Sequence, residues 1–171
     1  MKVTCPKCKR RIRIRNQRVI DCDCGHQFSH RKFYGDVNTY LVDTNIFIYA
    51  LNEDRWNGEA CKNVLNMFIG ELSTTIHVID ELLRPCKYIV KVLDVKNLSP
   101  EVMELRYGEE KKTLSLADKS LIQCAIDNPY VGGIITYDID IKSVVPSRLI
   151  RSEKPFFIGT ADEFLKKRGR K

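Results

Sequence analysis

Tyr40-Leu41-Val42-Asp43-Thr44-Asn45-Ile46-Phe47-Ile48-Tyr49-Ala50 is an apolar run that ends on an acid and restarts as a second apolar run. The first part reads as a buried strand and the second as a helix, which puts Asp43 where strand gives way to helix. In an open α/β sheet, ligands bind in the crevice at the carboxyl ends of the strands, so Asp43 is a candidate site residue. A search outward from it asks whether other carboxylates are placed to join it.

After this stretch, Gly58 to Ile69 carries apolar residues at three- and four-residue spacing and reads as a helix ended by Gly70. Leu72 to Ile76 reads as a short strand, and Val78 to Arg84 as a helix halted by Pro85. Lys87 to Val95 suits either a strand or a helix. Ser99-Pro100-Glu101 opens a helix that Gly108 is expected to close. Ser115 and Asp118 have capping-box spacing at the head of a helix running to about Asp127, and Asn128-Pro129 stops it. Gly132-Gly133 leads into a strand, Ile134-Ile135-Thr136, that ends at Tyr137-Asp138. Pro155 to Gly159 is a further strand, and Thr160 to Glu163 caps a last short helix. Strands alternating with helices predict an α/β fold with a mostly parallel central sheet covered on both faces.

Four acids then stand at element ends or helix starts: Asp43, Glu81, Asp118 and Asp138. Each also suits a plainer role, as a cap or a solvated helix residue. A hard, oxygen-rich set of this kind holds Mg²⁺ or Mn²⁺ and leaves positions for water and substrate phosphate.

The 171 residues carry a net charge of +7, unevenly spread. Residues 1 to 36 hold ten Lys/Arg against three Asp, and Lys166 to Lys171 adds five more positive charges. The intervening body is net negative by five. Basic ends suit a polyanion such as nucleic acid, and an acidic middle suits bound cations. No apolar run approaches the roughly 18 to 20 residues of a membrane span, and no signal-peptide pattern opens the chain, so no membrane partner and a cytoplasmic location are expected.

Of seven cysteines, four lie in the first 24 residues. Cys5-Pro6-Lys7-Cys8 and, thirteen residues on, Cys22-Asp23-Cys24-Gly25-His26 read as the ligands of a zinc ribbon over residues 1 to 30. One residue, not two, separates the second pair, so His26 is an alternative to Cys22 or Cys24. Between the pairs, Arg11-Ile12-Arg13-Ile14-Arg15 alternates as a strand with three arginines outward, placed for phosphate contact. Val19-Ile20 is expected to be its returning strand. Residues 31–37 read as a linker, 38–165 as the main domain and 166–171 as a basic tail. Cys61, Cys86 and Cys124 sit singly among apolar neighbours as expected core residues.

The motifs in order resemble the PIN-domain nucleases: LVDTNIFIYAL at 41 to 51, VIDELLR at 78 to 84, LSLADKSLIQCAI at 114 to 126, IITYDIDI at 134 to 141 and IGTADEFL at 158 to 165. The resemblance spans nearly all of residues 38 to 165. It implies a three-layer sandwich, here preceded by the small β zinc ribbon that the cysteines suggest, and a metal-dependent endoribonuclease with Asp43, Glu81, Asp118 and Asp138 matching the family's acidic positions. Asn45 and Thr136 match its supporting polar positions, and Asp140 follows in a region where the family varies. VapC-type toxins share these motifs but are usually a bare PIN domain, and an antitoxin partner would belong to that reading alone. A ribosome-maturation PIN endonuclease carries a zinc ribbon after its PIN domain, whereas here the ribbon comes first. The expectation is therefore RNA processing, with a toxin ribonuclease and a non-catalytic RNA-binding scaffold as rivals. A homodimer is compatible with each.

Overall fold

The computed structural model describes residues 2–4, 7–13, 19–25, 27–29, 39–52, 54–82, 88, 90–95, 97–128, 130–145 and 156–169. The chain divides into two units, Met1–Val37 and Asn38–Lys171.

The second unit is built on five parallel strands in the order β11-β10-β5-β6-β7. β5 (Thr39–Val42) lies at the centre, between β10 (Val131–Ile135) and β6 (Leu72–Thr75). β7 (Lys91–Leu93) and β11 (Phe157–Gly159) form the edges. Leu41, Val42, Ile134 and Ile135 are fully buried, as expected for strands covered on both faces. The covering helices are α1 (Thr44–Asn52), α2 (Gly58–Met67), α3 (Ile76–Glu81), α5 (Leu116–Asp127), α6 (Ile139–Val144) and α7 (Ala161–Lys167). A one-turn helix, α4 (Pro100–Met103), is capped by Ser99, whose hydroxyl accepts the Val102 N–H. The α/β class with a parallel central sheet is thus as the pattern predicts. Among the described residues no helix is long and apolar enough to cross a membrane.

Several local expectations are corrected. Gly108 does not end a helix. α4 stops at Met103, and Gly108 sits in the turn of an antiparallel hairpin, β8 (Arg106–Tyr107) with β9 (Lys112–Thr113). Gly132 and Gly133 belong to β10 rather than to its approach. A Cβ on Gly133 would collide with the backbone of Phe157 on β11, so the close pairing of these strands requires glycine there. The Val78–Arg84 helix begins earlier, at Ile76, and ends at Glu81. Cys61 and Cys124 are fully buried in the core, while Cys86 lies outside the described residues.

The C-terminal helix is locked to the sheet by its own basic end. The Arg168 guanidinium pairs with Glu71 and lies over the rings of Tyr40, Phe68 and Phe164. Lys166 and Lys167, expected in a tail, are the last turn of α7. There they complement the negative end of the helix.

The first unit contains two hairpins where the sequence pattern predicts one. β1 (Lys2–Thr4) pairs with β2 (Arg11–Arg13), and β3 (Val19–Asp21) pairs with β4 (Gln27–Ser29). Val19-Ile20 therefore does not return along Arg11–Arg13. Each cysteine pair instead lies in the segment between the strands of its own hairpin.

Candidate functional site

Asp43 follows the last residue of β5, and its N–H still donates to the Ile135 carbonyl of β10, 3.2 Å away. The side chain is 3% exposed. One carboxylate oxygen accepts the Thr44 N–H at 2.6 Å, and the other accepts Asn45 Nδ2 at 2.6 Å and Thr136 Oγ1 at 2.5 Å. Burial pushes the Asp43 carboxyl up to about 7, and the neighbouring charges of Asp118 and Asp138 add to this. The hydrogen bonds from Thr136 and Thr44 pull the other way.

Asn45 and Thr136 tie the ends of β5 and β10 together. Asn45 Nδ2 also donates to Thr136 Oγ1 at 3.2 Å, and its Oδ1 accepts the Tyr137 N–H at 3.3 Å. Thr136 Oγ1 in turn accepts the Asp138 N–H at 2.8 Å. Asp138 caps α6, its Oδ1 accepting the Asp140 N–H at 2.7 Å. Asp140 thus meets the site through its backbone N–H.

Glu81 ends α3 and is exposed, and its Oε2 accepts the Thr44 hydroxyl at 2.7 Å. Asp118 sits in the first turn of α5, where both arms of the capping box with Ser115 are made. Its carboxyl is raised by burial, opposed by the Ser115 hydrogen bonds, and raised further by Asp138 and Glu81. The capping roles expected as plain alternatives for Asp118 and Asp138 are both present. They coexist with mutual repulsion among the acids, which places Asp43, Glu81, Asp118 and Asp138 in one electrostatic neighbourhood.

No three of the four acids bring carboxylate oxygens within 4.8 Å of one another. Every hydrogen-bond donor they meet among the described residues is neutral: backbone N–H groups, hydroxyls and one amide. No described Lys or Arg makes an ion pair with any of them. A carboxylate set that gathers no protein cation and spreads its oxygens fits a hydrated divalent ion, since Mg²⁺ keeps several waters.

Sequence reasoning missed Thr44, the residue that joins Asp43 to Glu81, because its hydroxyl partner lies 37 positions away. It also missed Lys119, which is 6% exposed and donates to the Met103 carbonyl at 2.9 Å, tying the α5 first turn to α4.

In the first unit, the sulfurs of Cys8, Cys22 and Cys24 lie within 4.8 Å of one another. Those of Cys8 and Cys22 are 3.4 Å apart, beyond a disulfide bond. Lys9 and Gly25, each following the second cysteine of its pair, both take left-handed backbone, with φ of 61° and 73°. The Gly25 N–H donates to the Cys22 carbonyl at 2.8 Å. Three soft donors so gathered fit zinc. Cys5, His26 and Arg15 lie outside the described residues, and Arg11 and Arg13 are in β2.

The family model for the PIN domain matches residues 40–110. That span contains Asp43, Asn45 and Glu81 and ends before Asp118, Thr136 and Asp138. The match and the parallel five-stranded sheet are consistent with a PIN fold and support a nuclease-type, hydrolytic function. No curated protein and no solved structure matches the chain.

Proposed function

We propose that this chain is a Mg²⁺- or Mn²⁺-dependent endoribonuclease of RNA processing, with Asp43, Glu81, Asp118 and Asp138 as its metal-holding and catalytic residues. The observation that supports the reading is a buried Asp43, held by Thr44, Asn45 and Thr136 and close enough to Asp118 and Asp138 to feel their charge, in a set of acids that makes no ion pair with Lys or Arg among the described residues. Like charges gathered in this way are relieved by a proton or by a cation from solution.

A divalent ion bound there supplies Lewis-acid chemistry, lowering the pKa of an attacking water and neutralising charge at the phosphate. The chain's own part is orientation. Thr44 N–H, Asn45 and Thr136 fix both oxygens of Asp43. The Thr44 hydroxyl aims Glu81, the Ser115 N–H holds Asp118, and the Asp140 N–H holds Asp138. Fixed donors of this kind remove the reorganisation that a flexible carboxylate would need.

The cysteine unit is proposed as a zinc ribbon that helps hold RNA. Cys8, Cys22 and Cys24 would bind the ion with Cys5, or with His26 in place of one thiol. Arg11, Arg13 and Arg15 would contact phosphate. The test is incubation of purified protein with total cellular RNA, with and without Mn²⁺, followed by mapping of new ends and metal analysis of the same sample. The expected result is internal cuts that need Mn²⁺, with one zinc per chain. Intact RNA under every metal condition would overturn the nuclease reading.

A further inference from the structure

The segment that leaves β10 is Thr136-Tyr137-Asp138, and its middle side chain goes to a different set of partners from its neighbours. Thr136 donates to Asp43, and Asp138 lies close enough to raise the Asp43 carboxyl. The Tyr137 ring instead meets the Tyr49 ring of α1 edge-on, with centroids 5.3 Å apart. Its hydroxyl donates to Asp162 Oδ2 at 2.7 Å and meets the buried Cys61 thiol of α2. Burial and the Asp162 carboxylate both hold the phenol above its ordinary pKa, so the hydroxyl is the donor. Asp162 stands in the first turn of α7, which a complete capping box closes at one end and the Arg168–Glu71 pair clasps at the other. The anchor for Tyr137 is thus a helix fixed at both ends.

We infer that Tyr137 is a positioning residue of the acidic site, held in place by Asp162 and acting on Asp43 through Asn45. This deepens the proposed nuclease reading and rests on it for the chemistry served. The Tyr137 N–H donates to Asn45 Oδ1 at 3.3 Å, while Asn45 Nδ2 donates to Asp43 Oδ2 at 2.6 Å and to Thr136 Oγ1 at 3.2 Å. An amide turned the other way would set its oxygen against the Asp43 carboxylate and its NH₂ against the Tyr137 N–H. The Tyr137 N–H therefore selects which end of Asn45 faces Asp43. A backbone N–H is aimed only by fixing its residue, and the ring and hydroxyl of Tyr137 do that from outside the acid set. If Asn45 slackens, Asp43 Oδ2 is left to Thr136 alone among these two side-chain donors. At the protein surface the Tyr137–Asp162 hydrogen bond adds little to global stability. Its larger effect is on the aim of the carboxylate, which is where a fixed donor matters to chemistry.

The experiment compares wild type with Tyr137→Phe, which keeps the ring and removes the hydroxyl, with Asp162→Ala, Asp162→Asn and the double variant Tyr137→Phe/Asp162→Ala. Three readings are taken on each: the Asn45 side-chain amide signals by NMR without metal, Mn²⁺ affinity by calorimetric titration, and kcat and KM on one mapped RNA. Circular dichroism checks the fold. Tyr137→Phe and Asp162→Ala should each shift the Asn45 signals, weaken Mn²⁺ binding about threefold and lower kcat about fivefold with KM within about twofold, the scale of one hydrogen bond. The double variant should lose no more than either single one, since the two groups act as a unit. Asp162→Asn, whose amide oxygen still accepts, should recover most of what Asp162→Ala loses. If Tyr137→Phe fails to fold, Asp162→Ala at its exposed position carries the test alone. Unmoved Asn45 signals with wild-type Mn²⁺ affinity, as a tie serving folding alone would give, overturn the inference and leave the nuclease reading standing. Losses that multiply in the double variant overturn it too. Failure of the wild type to cut any RNA overturns the nuclease reading, and the Asn45 signals and Mn²⁺ affinity then decide the inference by themselves.

Discussion

The acidic edge and the cysteine cluster are both sets of side chains that ask for a cation, but the chain builds them in opposite ways. The carboxylates stand on a five-stranded sheet and the helices that cover it, whose fully buried residues include Leu41 and Ile134 in the strands and Ile46, Phe47, Leu121 and Phe164 in the helices. That core is apolar and is expected to form whether or not the acids hold an ion. The thiols stand on hairpins of three-residue strands. Among the described side chains of that unit, Cys22 alone is buried. An ion bound there would take the place of a core. A metal at the sheet edge is therefore expected to serve chemistry, and a metal at the thiols to serve folding.

Removal of zinc is the change expected to separate the two regions most. Structural zinc in so small a unit is worth on the order of 10 kcal/mol, so stripping it should unfold the first unit and leave the sheet unit intact. Amide spectra before and after a zinc-selective chelator check this. Collapse confined to the first unit is expected, and dispersed signals throughout would break the contrast.

A smaller effect should appear at the acidic edge as pH changes without divalent metal. The folded Asp43 carboxyl sits at about 7 against an ordinary value of 3.8, so the folded state binds the proton more tightly than the unfolded chain. Stability should therefore fall as pH rises between about 4 and about 7, by up to about 1.4 kcal/mol per pH unit, and level off above. Denaturant titrations in chelator at pH 4.5, 6 and 8 measure the slope. Asp43→Asn should flatten it, and Mg²⁺ in place of chelator should restore stability at pH 8. An unchanged slope in the variant would assign the pH dependence elsewhere.

The smallest expected effect concerns the ribbon's proposed hold on RNA. Replacing Arg11, Arg13 and Arg15 together with Ala should lower the salt slope of RNA binding by about 2, since each phosphate neutralised on a single strand adds roughly 0.7 to it. Filter binding between 50 and 200 mM salt reads it. An unaltered slope would leave the first unit with folding as its only role.

The parts of this architecture that are legible in the residues are those with long or reciprocal signals. β5 and α1 follow from the two apolar runs around Asp43. α5 and α7 follow from capping boxes that are both made in full, Ser115 with Asp118 and Thr160 with Glu163. The failures are equally local. Strands of three residues hold too little alternation to reveal their partners, so two hairpins look like one. Gly108 takes a φ of +68°, which helix ends and hairpin turns both use, so the residue alone does not separate them. α6 is hidden because Ile139, Ile141 and Val144 look like strand residues, and Asp138 supplies the cap that turns them into a helix. Of the acidic edge, the carboxylates are legible as candidates from position, whereas the Thr44 link to Glu81 depends on a pairing that only the folded chain creates.

The acidic sheet edge is expected to carry chemistry which its fold does not need. Its most direct test is cleavage of one mapped RNA by wild type, Asp43→Asn and Asp118→Asn in Mn²⁺, with circular dichroism on each protein. The prediction is a loss of about a thousandfold or more in both variants, the scale of several kcal/mol of transition-state stabilisation, with the fold retained. Undiminished Mn²⁺-dependent cleavage by both would contradict it.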